Sequence, residues 1–214
     1  MSSKQFHPTS AVLLVILYVI TGCSLLGGGT RHATNNYILH SFYSDETQQQ
    51  PVAKIPHIGI LVGPIRMPLY LDRIDIVIRD SQNRIQLADF SQWAGPLQEN
   101  FSRVLAENLS VLLATDKVGI FPGTRAMLFD YNVTVTVTRF DGMPGKKTNL
   151  RARWSILNKT RKKMVFEKHS ILSEPTKDNS MEALIAAESR ALAALSREIA
   201  VAIKTLAENN DQAQ

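Results

Sequence analysis

The stretch that most constrains the fold is "FDYNVTVTVT", residues 129–138. Phe129, Tyr131, Val133, Val135 and Val137 point one way along an extended chain. Asp130, Asn132, Thr134, Thr136 and Thr138 point the other. Strict alternation of this length is the signature of a strand with one buried and one wet face. Such a strand needs an antiparallel sheet covered on one side only. The downstream pattern extends it. Leu150, Ala152, Trp154 and Ile156 alternate after the breaker-rich "DGMPGKK", and Met164–Leu172 follows the turn "NKTRKK". These segments read as a meander.

Two longer periodic stretches supply the cover. In residues 91–115, Leu97, Phe101, Val104, Leu105, Leu109, Leu112 and Leu113 recur at helical spacing, with Pro96 suited to the first turn. In residues 179–209, Leu184, Ile185, Leu192, Leu195, Ile199, Ile203 and Leu206 form one face, and Asn179 with Glu182 resembles a capping box. Upstream, 37–39 and 57–62 are strand candidates, the second ended by Gly63-Pro64. Ile74, Ile76 and Ile78 alternate before Asp80-Ser81-Gln82-Asn83, then Ile85 and Leu87, which reads as a hairpin; 118–121 is a further short strand. The expected fold is α+β: an antiparallel β-sheet packed against two long α-helices, in a single domain.

The N-terminus has a different character. Ala11–Ile20 is ten apolar residues without a break. As a helix it covers about 15 Å, half of a bilayer core, which suits a signal-peptide h-region better than a span. The sequence Ile20-Thr21-Gly22-Cys23 then resembles a bacterial lipobox, and Cys23 is the sole cysteine. Residues 1–22 are therefore expected to be a lipoprotein signal peptide, and 23–36 an acylated N-terminus and flexible tether. An S-diacylglycerol and an N-acyl chain on Cys23 would anchor the protein permanently, since each buried CH₂ contributes about 0.8 kcal/mol. Ser24 rather than Asp after Cys23 resembles the outer-membrane sorting class. Loss of the signal removes Lys4, leaving a mildly basic chain whose counterpart in an envelope is anionic lipid or protein, not nucleic acid.

No chemistry-bearing motif stands out. His40, His57 and His169 are isolated, without metal-ligand spacing, and no G-x-S-x-G or phosphate-loop order is present. Two segments invite a contact role instead. "GPIRMPLYLDR", residues 63–73, is an apolar loop stiffened by two prolines; Arg66, Met67, Leu69, Tyr70 and Arg73 are its candidate partner contacts. A structural corner packed on the domain is the competing reading. Arg151, Arg153, Arg161, Lys162, Lys163 and Lys168 cluster around one hairpin. They could contact lipid phosphates or an acidic partner, although charge runs more often mark a solvated face.

The elements 63–73, "LADFSQWAGPLQENFSRVLAENLSVLL" (87–113), "YNVTVTVTRFDG" (131–142) and "ALAALSREIAVAI" (191–203) resemble the PqiC/YmbA family of ABC-type transport auxiliary lipoproteins. Gly95 stands where that family is expected to carry Glu. The resemblance covers about residues 37–206. It implies a domain over 37–208, followed by a frayed tail at 209–214. It also implies a non-enzymatic lipoprotein without cofactor or metal, on the periplasmic face of the outer membrane. There it would dock the tunnel end of an MCE-type lipid transport complex in support of membrane integrity, and self-association around that end is a further expectation. A lipid carrier with its own closed cavity is the alternative; an envelope enzyme is disfavoured.

Overall fold

The computed structural model describes residues 33–41, 51–122, 129–158 and 163–211. The signal peptide, Cys23, most of the tether, Arg161 and Lys162 lie outside them. Residues 34–214 form a unit distinct from 1–33. Its elements in chain order are β1 (Asn35–Tyr37), β2 (Ile60–Arg66), β3 (Asp75–Arg79), β4 (Ile85–Trp93), α1 (Leu97–Leu113), β5 (Val118–Ile120), β6 (Tyr131–Gly142), β7 (Lys147–Asn158), β8 (Lys163–Pro175) and α2 (Met181–Asp211). A 3-10 turn, Leu69–Leu71, lies between β2 and β3.

The alternating strand is the centre of the sheet. Tyr131, Val133, Val135 and Val137 of β6 are buried, and β7 presents Leu150, Ala152, Trp154 and Ile156 on the same side. β6, β7 and β8 form the expected antiparallel meander, and β3 and β4 the expected hairpin. The expectation of a purely antiparallel sheet is corrected on the other side. There β2 runs parallel to both β6 and β5, β3 meets the end of β6 in parallel, and β1 joins β4 in parallel. The sheet is mixed because β2 reaches β6 by way of the hairpin, α1 and β5, a crossover long enough to permit parallel pairing.

β2 also continues through Gly63-Pro64 instead of ending there. Gly63 adopts φ +113°, a region that favours glycine, and the register with β6 shifts between Val62 and Ile65. The irregularity absorbs the missing donor of Pro64.

Both helices cover one face. Phe101 of α1 meets Phe140 of β6 edge to face, with ring centroids 5.5 Å apart. Asn108 Nδ2 of α1 donates to Ser196 Oγ of α2 at 3.2 Å, a buried bond between the helices. α1 begins after Pro96, later than residue 91, because Ser91–Trp93 is the end of β4. α2 is capped by Ser180, whose Oγ accepts the Ala183 N–H at 3.1 Å, in place of the expected Asn179. It continues through Asp211, so 209–211 are helical.

Gly142 shows how closely α2 approaches the sheet. A Cβ there would lie 2.6 Å from Thr148 Cα, 2.7 Å from the Lys147 carbonyl oxygen and 2.9 Å from Leu184 Cδ1. Two of those atoms are backbone and cannot turn away. Gly142→Ala is expected to destabilise the domain by about 1–3 kcal/mol. Gly95→Ala, where nothing lies within 4 Å, should change stability by under about 0.5 kcal/mol. Thermal unfolding midpoints of the two variants check the contrast.

Candidate docking surface

The face of the sheet opposite the helices carries Arg66 and, from the basic hairpin, Arg151 and Arg153. Register fixes which side chains share it. Arg66 of β2 pairs with Thr136 of β6, Thr136 with Arg153 of β7, and Arg153 with His169 of β8. A second row joins Arg139, Arg151 and Ile171. The bulge between Val137 and Arg139 leaves the buried Val137 and Phe140 on the helix side while Arg139 and Asp141 point to the open side. Arg66 of the 63–73 segment and Arg151 and Arg153 of the basic hairpin thus share one surface.

A buried ionic cluster closes one end of that surface. Asp141 is fully buried. Arg79 donates Nε to its Oδ1 at 2.9 Å and Nη2 to its Oδ2 at 3.0 Å, a bidentate pair. Arg139 Nε donates to Oδ1 at 2.8 Å, and the Tyr70 hydroxyl donates to Oδ2 at 2.7 Å. The Arg79 guanidinium lies 5.6 Å from the Tyr70 ring centroid. Burial, and then the bond to Asp141, push the Tyr70 hydroxyl up to about 12. The bond to Asp141 also raises Arg79.

Tyr70 therefore fastens the 67–73 loop to the sheet. The candidate residues divide accordingly. Tyr70 and Met67 are partly buried, with Met67 packed on the core. Leu71 inserts into the core. Arg73 is exposed and pairs with Asp75 at 3.4 Å. Leu69 is 87% exposed at the crest of the 3-10 turn, and Arg66 is exposed at the end of β2. Sequence reasoning missed Arg79, Arg139 and Asp141. The signal was a charged pair, Arg139-x-Asp141, on the wet face of a strand just before Gly142.

Of the basic hairpin, Arg151, Arg153, Lys163 and Lys168 are exposed. Arg153 lies 3.8 Å from Glu167, and Lys168 turns to the helix side, 3.1 Å from Glu198. Trp154 stacks on Phe166 on the helix side, with centroids 5.1 Å apart.

Two grooves flank the domain, both open to solvent. One of about 740 Å³ lies between the first turns of α1, Pro64 and the end of β5, with Ile38 and Phe121 half-exposed on its wall. The other, about 560 Å³, lies between β8 and the second half of α2. Among the described residues no group of three or more His, Cys, Asp or Glu could hold a metal ion, and no helix is long and apolar enough to cross a membrane.

The sequence matches the family described as "ABC-type transport auxiliary lipoprotein component" over residues 40–200. Among solved structures it is similar to protein XCC0632 from Xanthomonas campestris, with 16% identity and a TM-score of 0.66, covering 83% of this chain and 99% of that one. A second crystal structure, of an uncharacterized protein, is similar at 18% identity and TM-score 0.65, covering 80% and 99%. At these identities the likeness is one of fold. Among curated proteins none is a significant match.

Glu188 of α2 gives the site a pH signature. It is fully buried, its Oε2 has no hydrogen-bond partner, and burial followed by the charge of Asp141 raises its pKa well above the usual carboxyl range. A raised folded-state value means that the folded chain holds this proton more tightly than the unfolded one. The associated stability is complete below the unfolded value and is lost as pH rises through the folded value. The unfolding midpoint should therefore fall as pH rises above the ordinary carboxyl range. Glu188→Gln should flatten that slope and gain on the wild type toward the alkaline end; a midpoint-versus-pH series measures both.

Proposed function

The chain belongs to the ABC-type transport auxiliary lipoprotein family, and from that premise we propose that it docks the tunnel end of an MCE-type lipid transport complex at the outer membrane. In this reading Cys23 carries the acyl anchor, the tether expected over 23–36 stops before Asn35 and Asn36, which pair with Ser91 and Gln92 in β1, and the domain supplies the contact. The observation that carries it is the 67–73 loop. A leucine exposed at the tip of a loop is normally mobile and costly. Here Tyr70 and Leu71, the two residues that follow it in the 3-10 turn, are held by Asp141 and by the core. The crest is pre-organised, which lowers the entropy lost on binding. An exposed apolar anchor flanked in sequence by the exposed Arg66 and Arg73 fits a protein interface.

A carrier would hold lipid in an enclosed cavity. The apolar faces of the sheet and of both helices are instead packed on each other in one continuous core, and both grooves are open, which favours docking.

Affinity capture from gently solubilised envelopes tests the proposal. An MCE-domain protein is expected to co-purify with the full chain. Leu69→Asp should reduce its recovery at least tenfold, about 1.4 kcal/mol, without lowering the unfolding midpoint. Tyr70→Phe should reduce recovery less, by loosening the crest while leaving Leu69 in place. Stoichiometric lipid without a protein partner would overturn docking in favour of the carrier.

A further inference from the structure

We propose that the open face of the sheet is an anion-binding surface that seats the domain flat on the phosphates of a lipid bilayer. Four strands contribute. Arg66, Arg151 and Arg153 are exposed there, with His169 beside Arg153 and Arg139 beside Arg151. Arg139 and Arg151 lie directly opposite each other on neighbouring strands, where like charges repel, and the Asp141 carboxylate offsets Arg139 only. The only carboxylate that meets them from the same strands and reaches solvent among the described residues is Glu167, 3.8 Å from Arg153; Asp141 is buried under Tyr70 and Arg79. Arg66 and Arg151 make no ion pair among the described residues.

Arg139 is thus offset by Asp141 and Arg153 in part by Glu167, while Arg66 and Arg151 present exposed charge to solvent. Guanidinium groups bind phosphate oxygens in a bidentate fork. The hydroxyl of Thr136, exposed between the arginines, adds a donor of the kind phosphates accept. Ile171, 65% exposed at the end of the Arg139–Arg151 row, supplies an apolar point for the interface region. Exposed arginines spread over neighbouring strands, with an apolar side chain at the end of one row, complement an anionic headgroup layer better than a groove-shaped or knob-shaped protein partner. Chain length allows the seating: Thr34 lies eleven positions after Cys23, a reach of up to about 40 Å when extended. The inference rests on membership of a lipoprotein family and is independent of which transporter the domain serves.

The test uses the mature acylated chain reconstituted in vesicles. Its natural cysteine is blocked by lipid in this reading, so Ile171→Cys and, on the helix side, the half-exposed Val201→Cys each give a unique labelling site. Energy transfer from the label to acceptors on lipid headgroups is read in phosphatidylglycerol–phosphatidylcholine vesicles and in phosphatidylcholine alone. Transfer from the Ile171→Cys label is expected to exceed that from Val201→Cys only in the anionic vesicles, and to fall with added salt. Arg151→Glu with Arg153→Glu should shift the seated population by more than about tenfold; Arg151→Gln with Arg153→Gln should shift it in the same direction, less far. Equal transfer from the two sites, or transfer insensitive to both salt and charge removal, overturns the proposal. Protection of the Ile171→Cys label only when a transport complex is added also overturns it, assigning the face to an acidic protein. Because docking is read from Leu69→Asp capture, the two proposals can fail separately.

Discussion

The ion cluster around Asp141 is the constraint on which the rest of the working surface depends. An isolated carboxylate so deeply buried would cost several kcal/mol. Two arginines and a tyrosine hydroxyl meet it within 3.0 Å. Each partner comes from a different segment: Arg79 from β3, Arg139 from β6 and Tyr70 from the loop between β2 and β3. The carboxylate therefore ties the end of the central strand to the hairpin on one side and to the loop above it. β6 has β2 along its first half and β3 only at Gly142. The polar cluster lies at the end where β6 meets β3, and without it the loop crossing from β2 to β3 would lose its attachment.

The same cluster explains why the loop can display an apolar residue. Leu69 gains nothing from the core, yet its neighbours are fixed by interactions of two kinds, one ionic and one hydrophobic. Tyr70 faces inward because its hydroxyl has a charged acceptor; Leu71 faces inward because it is apolar. Leu69 is left outward by the tightness of a 3-10 turn, in which successive side chains point about a third of a turn apart. The consequence is a protrusion whose shape is set before any partner arrives.

Much of this was legible in the sequence where the information is local. The period of two in 129–138 gave the central strand and its buried face, because each side of a strand is read directly from alternate residues. The α1 and α2 stripes were legible for the same reason. Three features were not. The parallel pairing of β2 with β6 depends on where a crossover of more than sixty residues returns, and nothing in Ile60–Arg66 encodes that. Gly63-Pro64 reads as a strand end by local rules, and it continues only because a bulge accommodates it. The cap of α2 was misplaced by one residue, since Asp178, Asn179 and Ser180 all have capping chemistry. The union of Arg66 with Arg151 and Arg153 is the most consequential case. It follows from register across three strands, so residues of two segments that looked unrelated share one surface.

The way the chain enters the domain has a mechanical consequence. β1 is only three residues long, which would make it a weak grip if it held alone. Within a few residues, however, the Leu39 N–H donates to Asn100 Oδ1 at 3.1 Å, the His40 N–H to Ser189 Oγ at 3.2 Å, and Arg103 Nη2 to the Leu39 carbonyl at 3.2 Å. The Ala94 N–H donates to the Tyr37 carbonyl at 2.8 Å. Tension arriving from the N-terminal side is thus shared among β4, α1 and α2, and Leu39 is buried beneath it. Such an attachment yields by shearing many bonds together rather than by peeling one at a time. A domain leashed at that end can be tugged, turned and dragged along a surface while its sheet keeps its register.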